Sequence, residues 1–181
     1  MNIQVLRARL RERSREEKVV EGASLASVLV PIVIRDGDAS LVFTQRGRNL
    51  RSHAGQISFP GGKRDPDDAD LVATALREAR EELGIYDVDV LGLLDDVATP
   101  TGFVITPVVG VIACSPYEPN CEVAEVFELS ISKLRDPAVY QDKGEAAFQG
   151  RTYRIYAYCV EDRTIWGATG KMVRQLLEIW T

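Results

Sequence analysis

The chain reads as an α/β protein: a mixed β-sheet packed between helices. Strand-length apolar runs alternate with amphipathic helical stretches, which is the order of elements that layers helices on a sheet. The longest helical stretch ends at Gly84 in mid-chain, and a second closes the chain at residues 171–180. No internal repeat, low-complexity segment or linker divides the 181 residues, so one domain spanning 1–181 is expected, with residues 1–20 as a peripheral N-terminal helix.

Taken in order, residues 3–17 read as a basic helix with Val5, Leu6 and Leu10 on a modest apolar side. Residues 26–34, ASVLVPIVI, are nearly all apolar, as expected of a strand buried on both faces, and Pro31 predicts a bulge or sheet edge there. Asp36–Gly37–Asp38 is a hairpin signal, and residues 39–45 return as a second strand. Residues 59–85, FPGGKRDPDDADLVATALREAREELGI, pass from two glycines through an acidic turn into an amphipathic helix. Asp67 or Asp68 can cap that helix and Gly84 can end it. At 3.6 residues per turn, Val72, Leu76, Ala79 and Leu83 share the stripe expected to be buried. Residues 88–94 and 103–112 are strand-like and joined through TPTG, a turn. A short strand at 124–129, a helical turn at 130–134, and a hairpin of 146–148 with 152–160 around Gly150 and Arg151 precede the last helix, which bears Met172, Leu176, Leu177 and Trp180.

Composition excludes several function classes. The apolar share is 45% and the charged share 27%, ordinary for a globular protein. A net charge of -5 argues against a general nucleic-acid or membrane binder, and no apolar run reaches membrane-spanning length. No apolar signal region opens the chain. Cys114, Cys121 and Cys159 have no CxxC spacing, so buried or incidental thiols in a reducing cytoplasm are expected. The expected partner is a small-molecule nucleotide, with no nucleic acid and no membrane; a homodimer is left open.

On the helical wheel Glu78, Glu81 and Glu82 cluster away from the apolar stripe, with Asp70 and Thr74 nearby. Three close carboxylates repel one another unless a cation sits among them, and a hard divalent ion such as Mg2+ or Mn2+ takes oxygen ligands of this kind. Gly61 and Gly62 allow a backbone carbonyl to approach the same ion, and Arg77 can hold a carboxylate by paired hydrogen bonds. The stretch resembles the Nudix box, G-x5-E-x7-R-E-U-x-E-E-x-G-U, where U is aliphatic. Arg77, Glu78, Ala79, Glu81, Glu82, Gly84 and Ile85 fill its second half in register. In the first half Gly62 lies one residue further from Arg77 than the pattern has it, and Ala69 stands at the upstream Glu position. That leaves Asp68 or Asp70 to stand in for the Glu, whose role in the family is to brace the arginine.

The preceding segment, TQRGRNLRSHAGQISFPGG from Thr44, carries Arg46, Arg48 and Arg51, and with Lys63 and Arg64 makes five basic residues and no acid, a local excess that suits a polyanion. It resembles the signature of the coenzyme A pyrophosphatases among Nudix enzymes, LLTxR(S/A)x3Rx3Gx3FPGG. Thr44, Arg46, Arg51, Gly55, Phe59, Pro60, Gly61 and Gly62 fall in register, and Gly47 replaces the Ser or Ala. The resemblance implies an α/β/α sandwich and metal-dependent hydrolysis of coenzyme A or its thioesters to 3′,5′-ADP and (acyl-)4′-phosphopantetheine. It implies Glu78, Glu81 and Glu82 with the Gly62 carbonyl as metal ligands, and Arg46, Arg51, Gly55 and Gly61 as substrate contacts.

One carboxylate from outside the box commonly serves in the family. Of the cluster Glu122, Glu125 and Glu128, Glu122 is the first choice and Glu125 the second; either Glu78 or Glu122 could take the water proton. His53, the only histidine, has a structural or substrate-loop role by expectation, and its solitude excludes His-based triads. Trp166 and Gly167 resemble the family's IWG segment, with packing as the expected role of the tryptophan. Other readings are a Nudix enzyme of ADP-ribose, dinucleoside polyphosphates or damaged nucleotides, or a nucleotide-binding sensor without catalysis.

Overall fold

The computed structural model describes residues 2–47, 55–148 and 150–181. In chain order the elements are helix α1 (Ile3–Glu12), strands β1 (Ser24–Arg35), β2 (Asp38–Arg46), β3 (Ile57–Ser58) and β4 (Gly61–Lys63), and helix α2 (Leu71–Leu83). Strands β5 (Val88–Leu93), β6 (Val97–Ala98), β7 (Phe103–Ile112) and β8 (Val123–Ser130) follow, then the helical turn α3 (Ile131–Leu134). Strands β9 (Tyr140–Phe148), β10 (Arg151–Val160) and β11 (Arg163–Trp166) lead into helix α4 (Gly167–Ile179).

Among the described residues β1–β8 form one mixed sheet and β9–β11 a second, three-stranded one in the order β11-β10-β9. Strand β1 is the axis of the large sheet. It runs parallel to β7 from Ser24↔Phe103 to Ile32↔Val111, and antiparallel to β4 and β2 on its other side. Its side chains divide by parity, as a pleated strand requires. Leu29 and Val33 join Val42, Val108 and Ile112 in a core closed by Ala75, Ala79 and Leu83 of α2. Val30 and Ile32 face the other way, into a core shared with Leu6 and Leu10 of α1 and Met172, Val173 and Leu176 of α4. The sheet is thus covered by α2 on one face and by α1 and α4 on the other.

Pro31 makes neither a bulge nor an edge: β1 is interior and its register with β7 is unbroken across Pro31↔Gly110. Leu29 donates its N–H to Pro60 O at 2.9 Å, so by period 2 the nitrogen of Pro31 faces the same side. There the partner changes from β4, ending at Val28↔Gly61, to β2, beginning at Ile32↔Leu41. A missing N–H is harmless in that gap. The β1–β2 hairpin closes on Asp36 and Gly37, both with positive φ (51° and 85°), the pairing a two-residue primed turn demands.

Helix α1 is shorter than expected, and Val5 on its apolar side is 40% exposed. Two of its arginines and the one that follows it are used on the molecule itself. Arg7 pairs with Asp89 and Arg13 with Asp95, while Arg9 donates to Ile179 O at 2.8 Å. Beyond the helix, Arg15 Nη2 and the Lys18 N–H both reach the buried Asp96, at 2.9 and 3.0 Å. All three cysteines are free and none is buried.

Candidate active site

Helix α2 is held at both ends by local chemistry. Its cap is Asp70 and neither Asp67 nor Asp68: the helix begins at Leu71, so Asp70 Oδ1 accepts from the Ala73 N–H at 2.7 Å, and Gly84 takes the left-handed conformation (φ 67°) that stops it. The buried stripe is Thr74, Ala75, Ala79 and Leu83, while Val72 and Leu76 are only partly buried. This turn of the helix sets the Glu78 and Glu82 side of α2 against strand β4.

The two glycines of β4 are required by that approach. A Cβ on Gly62 would overlap the Glu78 carboxylate, and one on Gly61 would overlap the Ser27 carbonyl and Val28. Glu82 Oε2 accepts the Gly61 N–H at 3.3 Å, so Gly61 serves a glutamate here. Burial raises the proton affinity of both carboxylates. For Glu78 the effect is opposed chiefly by Arg77. Glu82 is pushed up to about 7, burial outweighing the Gly61 N–H. Lesser influences on Glu82 are Glu78 and Glu122, which raise it, and Arg46, which lowers it.

Arg77 is the hinge between loop and helix. Its Nε and Nη2 grip Asp68 at 3.0 and 3.1 Å, Nη2 also donates to Lys63 O at 3.1 Å, and Nη1 reaches Glu78 at 2.9 Å and Glu81 at 3.2 Å. The brace for the arginine is therefore Asp68, which is 8% exposed, while Asp70 caps. The Arg77 fork holds the Asp68 carboxyl well below the usual carboxylate range.

Glu122 is brought to the same place. Its Oε2 accepts from Arg46 Nη2 at 3.0 Å, and its carbonyl accepts the Gly47 N–H at 2.9 Å. Glu125 is not. It lies in register with Gln45, two residues from the Phe127↔Phe43 pair, and so on the sheet face away from α2; there it binds Arg163 at 2.5 Å. Gly55, with φ 73°, closes a loop on Arg46: its N–H donates to the Arg46 carbonyl at 3.1 Å. Arg48, Arg51 and His53 lie outside the described residues. Arg64 is used locally, its Nη2 donating to Asp68 O at 3.2 Å, and Lys63 Nζ lies 5.2 Å from the Phe103 ring centre. Trp166 does not pack: it is 49% exposed at the N-cap of α4, and the tryptophan that fills the core is Trp180.

Among the described residues no three acidic, histidine or cysteine side chains converge as a ready-made metal ligand set. Glu78 and Glu81 are turned to Arg77, and Glu82 to Gly61. The donor set nonetheless fits a hard divalent cation. Glu78 and Glu82 are carboxylates kept from water without a full countercharge, beside a glycine backbone left bare for close approach.

The NUDIX domain family matches the chain over residues 25–145. The uncharacterized Nudix hydrolase NudL of Photorhabdus laumondii is 38% identical over 157 residues, covering 84% of this chain and 83% of that protein. Among solved structures, a MutT/nudix family protein from Enterococcus faecalis superposes with a TM-score of 0.56 at 16% identity, over 92% of this chain and 63% of that longer one. The NUDIX domain of Shewanella oneidensis NrtR, complexed with ADP ribose, superposes at 0.50 with 18% identity, over 62% of this chain and 76% of that one.

Proposed function

We infer the reaction from a plain premise: the chain belongs to the NUDIX domain family and is a Nudix hydrolase. We propose that it cleaves the diphosphate linkage of coenzyme A or its thioesters, giving 3′,5′-ADP and (acyl-)4′-phosphopantetheine. The observation that carries this reading is the meeting of Glu122 and Arg46 beside the buried Glu82. It joins a proton acceptor and an anion-binding guanidinium to the carboxylates of α2.

Glu78, Glu81 and Glu82, with the Gly62 carbonyl, would hold Mg2+ or Mn2+. A divalent ion bound there neutralises phosphate charge and lowers the pKa of a bound water. The chain's own groups divide the remaining work. Glu78 is committed to Arg77 and packed on Gly62, whereas the Glu122 side chain is 48% exposed and, among the described residues, held by Arg46. Glu122 is therefore the group that accepts the proton as water oxygen bonds to phosphorus and the bridging P–O bond breaks. Arg46 has its Nη2 on Glu122 and a side chain that is 34% exposed, which offers the guanidinium to a phosphate oxygen. Arg77 and Asp68 keep Glu78 and the β4 loop in place.

Coenzyme A is favoured because its diphosphate and 3′-phosphate match the basic segment that runs through Arg46. ADP-ribose is the second reading, favoured by the likeness to a domain bound to it. The test is kcat/KM for coenzyme A, dephospho-coenzyme A and ADP-ribose, with and without Mg2+, reading release of 3′,5′-ADP from coenzyme A and of AMP from the other two. Coenzyme A is expected to lead. Dephospho-coenzyme A should fall by about ten- to a hundredfold, the loss of one charge-assisted contact. A higher kcat/KM for ADP-ribose would refute the coenzyme A assignment.

A further inference from the structure

The segment just before β8 is fastened to the C-terminal end of α2. A helix leaves its last carbonyls without partners inside the helix, and here three of them are met by one strap. The Glu118 N–H donates to Leu83 O at 2.9 Å, the Asn120 N–H to Glu82 O at 3.0 Å, and Asn120 Nδ2 to Glu81 O at 3.2 Å. The opposite end of the same side chain turns to the strand: Asn120 Oδ1 accepts the Glu122 N–H at 2.9 Å, and the Asn120 carbonyl accepts the Val123 N–H at 3.2 Å. Asn120 thus spends both backbone groups and both ends of its amide on one junction.

That junction decides where Glu122 points. Regular pairing of β8 with β2 breaks just there, Gln45 facing Glu125 and Arg46 facing Val123, so Ala124 is an extra residue. A bulge frees the strand from its ladder and re-aims the side chains beside it. Glu122 lies beyond the bulge and, among the described residues, is held by three contacts: Asn120 Oδ1, the Gly47 N–H and the Arg46 guanidinium. Of these, only the Asn120 contact reaches α2.

We propose that Asn120 is a positioning residue: its amide sets Glu122 at a fixed offset from the Glu81–Glu82 turn of α2, and so acts on hydrolysis through Glu122. It rests on the proposed role of Glu122 as proton acceptor. The amide has a donor and an acceptor on one short flat group, which lets it span the helix carbonyl and the strand N–H at once.

The test compares Asn120→Ala, Asn120→Asp, Glu122→Gln and each Asn120 variant combined with Glu122→Gln. Rates are taken with coenzyme A, or with the best substrate of the diphosphate panel, so that a wrong substrate leaves the test intact. Asn120→Ala should lower kcat about a hundredfold, the scale of a misplaced catalytic group, while KM stays within about threefold. Asn120→Asp keeps an acceptor for the Glu122 N–H and should retain more kcat than Asn120→Ala. In the Glu122→Gln background neither Asn120 change should lower kcat further, because residues acting through one another are not additive. If Asn120→Ala unfolds, the same comparison is read from Asn120→Asp. Glu122→Gln impaired with Asn120 variants like wild type, or with multiplying effects, overturns the positioning role and leaves the proposed function standing. Glu122→Gln at wild-type rate overturns both.

Discussion

Removing the charge of Glu82 should abolish turnover and, without metal, make the protein more stable. In the folded chain this carboxylate is held up from 4.5 to about 7, first by burial. At about 1.4 kcal/mol per pKa unit, ionising it in place costs about 3 kcal/mol. The sign follows from the direction. An acid whose folded pKa lies above its unfolded value binds its proton more tightly when folded, so it opposes folding once the unfolded carboxyl has ionised. The penalty is absent below about pH 4.5, grows through pH 7 and is complete above it. Glu82→Gln keeps an oxygen for the Gly61 N–H and removes the ionisation. In chelator, thermal unfolding of the two proteins should coincide near pH 4.5 and diverge as pH rises. At pH 8 the variant should melt about 6–12 °C higher, at roughly 2–4 °C per kcal/mol for a chain of this size. Millimolar Mg2+ should then raise the melting temperature of the wild type and not of the variant. Parallel curves from pH 5 to 8, or equal stabilisation of both by Mg2+, would refute the reasoning that Glu82 is a buried, uncompensated metal carboxylate.

What was legible in the sequence was what local pattern dictates. The positive-φ turn at Asp36–Gly37, the strands with parity-sorted cores and the Gly84 stop all follow from residue type and spacing. Helical spacing predicts Glu78, Glu81 and Glu82 on one side of α2, whereas the partners they take, Arg77 for Glu78 and Glu81 and the Gly61 N–H for Glu82, depend on the fold. What escaped depends on neighbours distant in the chain. Pro31 reads as a strand fault, yet it sits where β1 exchanges β4 for β2. Asp68 and Asp70 are equivalent in sequence; the reach of Arg77 from the next turns of the helix separates brace from cap. Glu122 and Glu125 look alike until parity puts Glu125 beside Phe127 and Leu129, and a bulge at Ala124 breaks that parity for Glu122. Asn120 stands in SPYEPNCE, where nothing local marks its partners as carbonyls of α2.

Three further outcomes are expected. Asp68→Asn unmakes the fork on Arg77 and frees a cation that also touches Glu78 and Glu81; kcat should fall by about ten- to a hundredfold while the fold persists, and an unchanged kcat would show that Arg77 needs no brace. Glu122→Gln should lower kcat by roughly two to four orders of magnitude, whereas Glu125→Gln, on the far face, should stay within a few-fold; the reverse ranking would contradict the placement given by the β2–β8 register. The last concerns the N-terminal arm, which sequence marks as peripheral. Asp96, 4% exposed, accepts from Arg15 Nη2 at 2.9 Å, the Lys18 N–H at 3.0 Å and Thr106 Oγ1 at 2.6 Å, and Thr106 is wholly buried. Asp96→Ala strands all three donors, and breaking a buried pair by removing one partner costs about 3–5 kcal/mol. Melting should drop by about 6–20 °C. The control is Glu17→Gln, whose contact with Arg15 spans 3.7 Å with the glutamate 74% exposed, and which should shift melting by about 0–4 °C, since surface pairs contribute about 0–1 kcal/mol. A drop of less than about 3 °C for Asp96→Ala would mean that water replaces the lost acceptor, and that the arm is laid on the surface instead of being latched into the core.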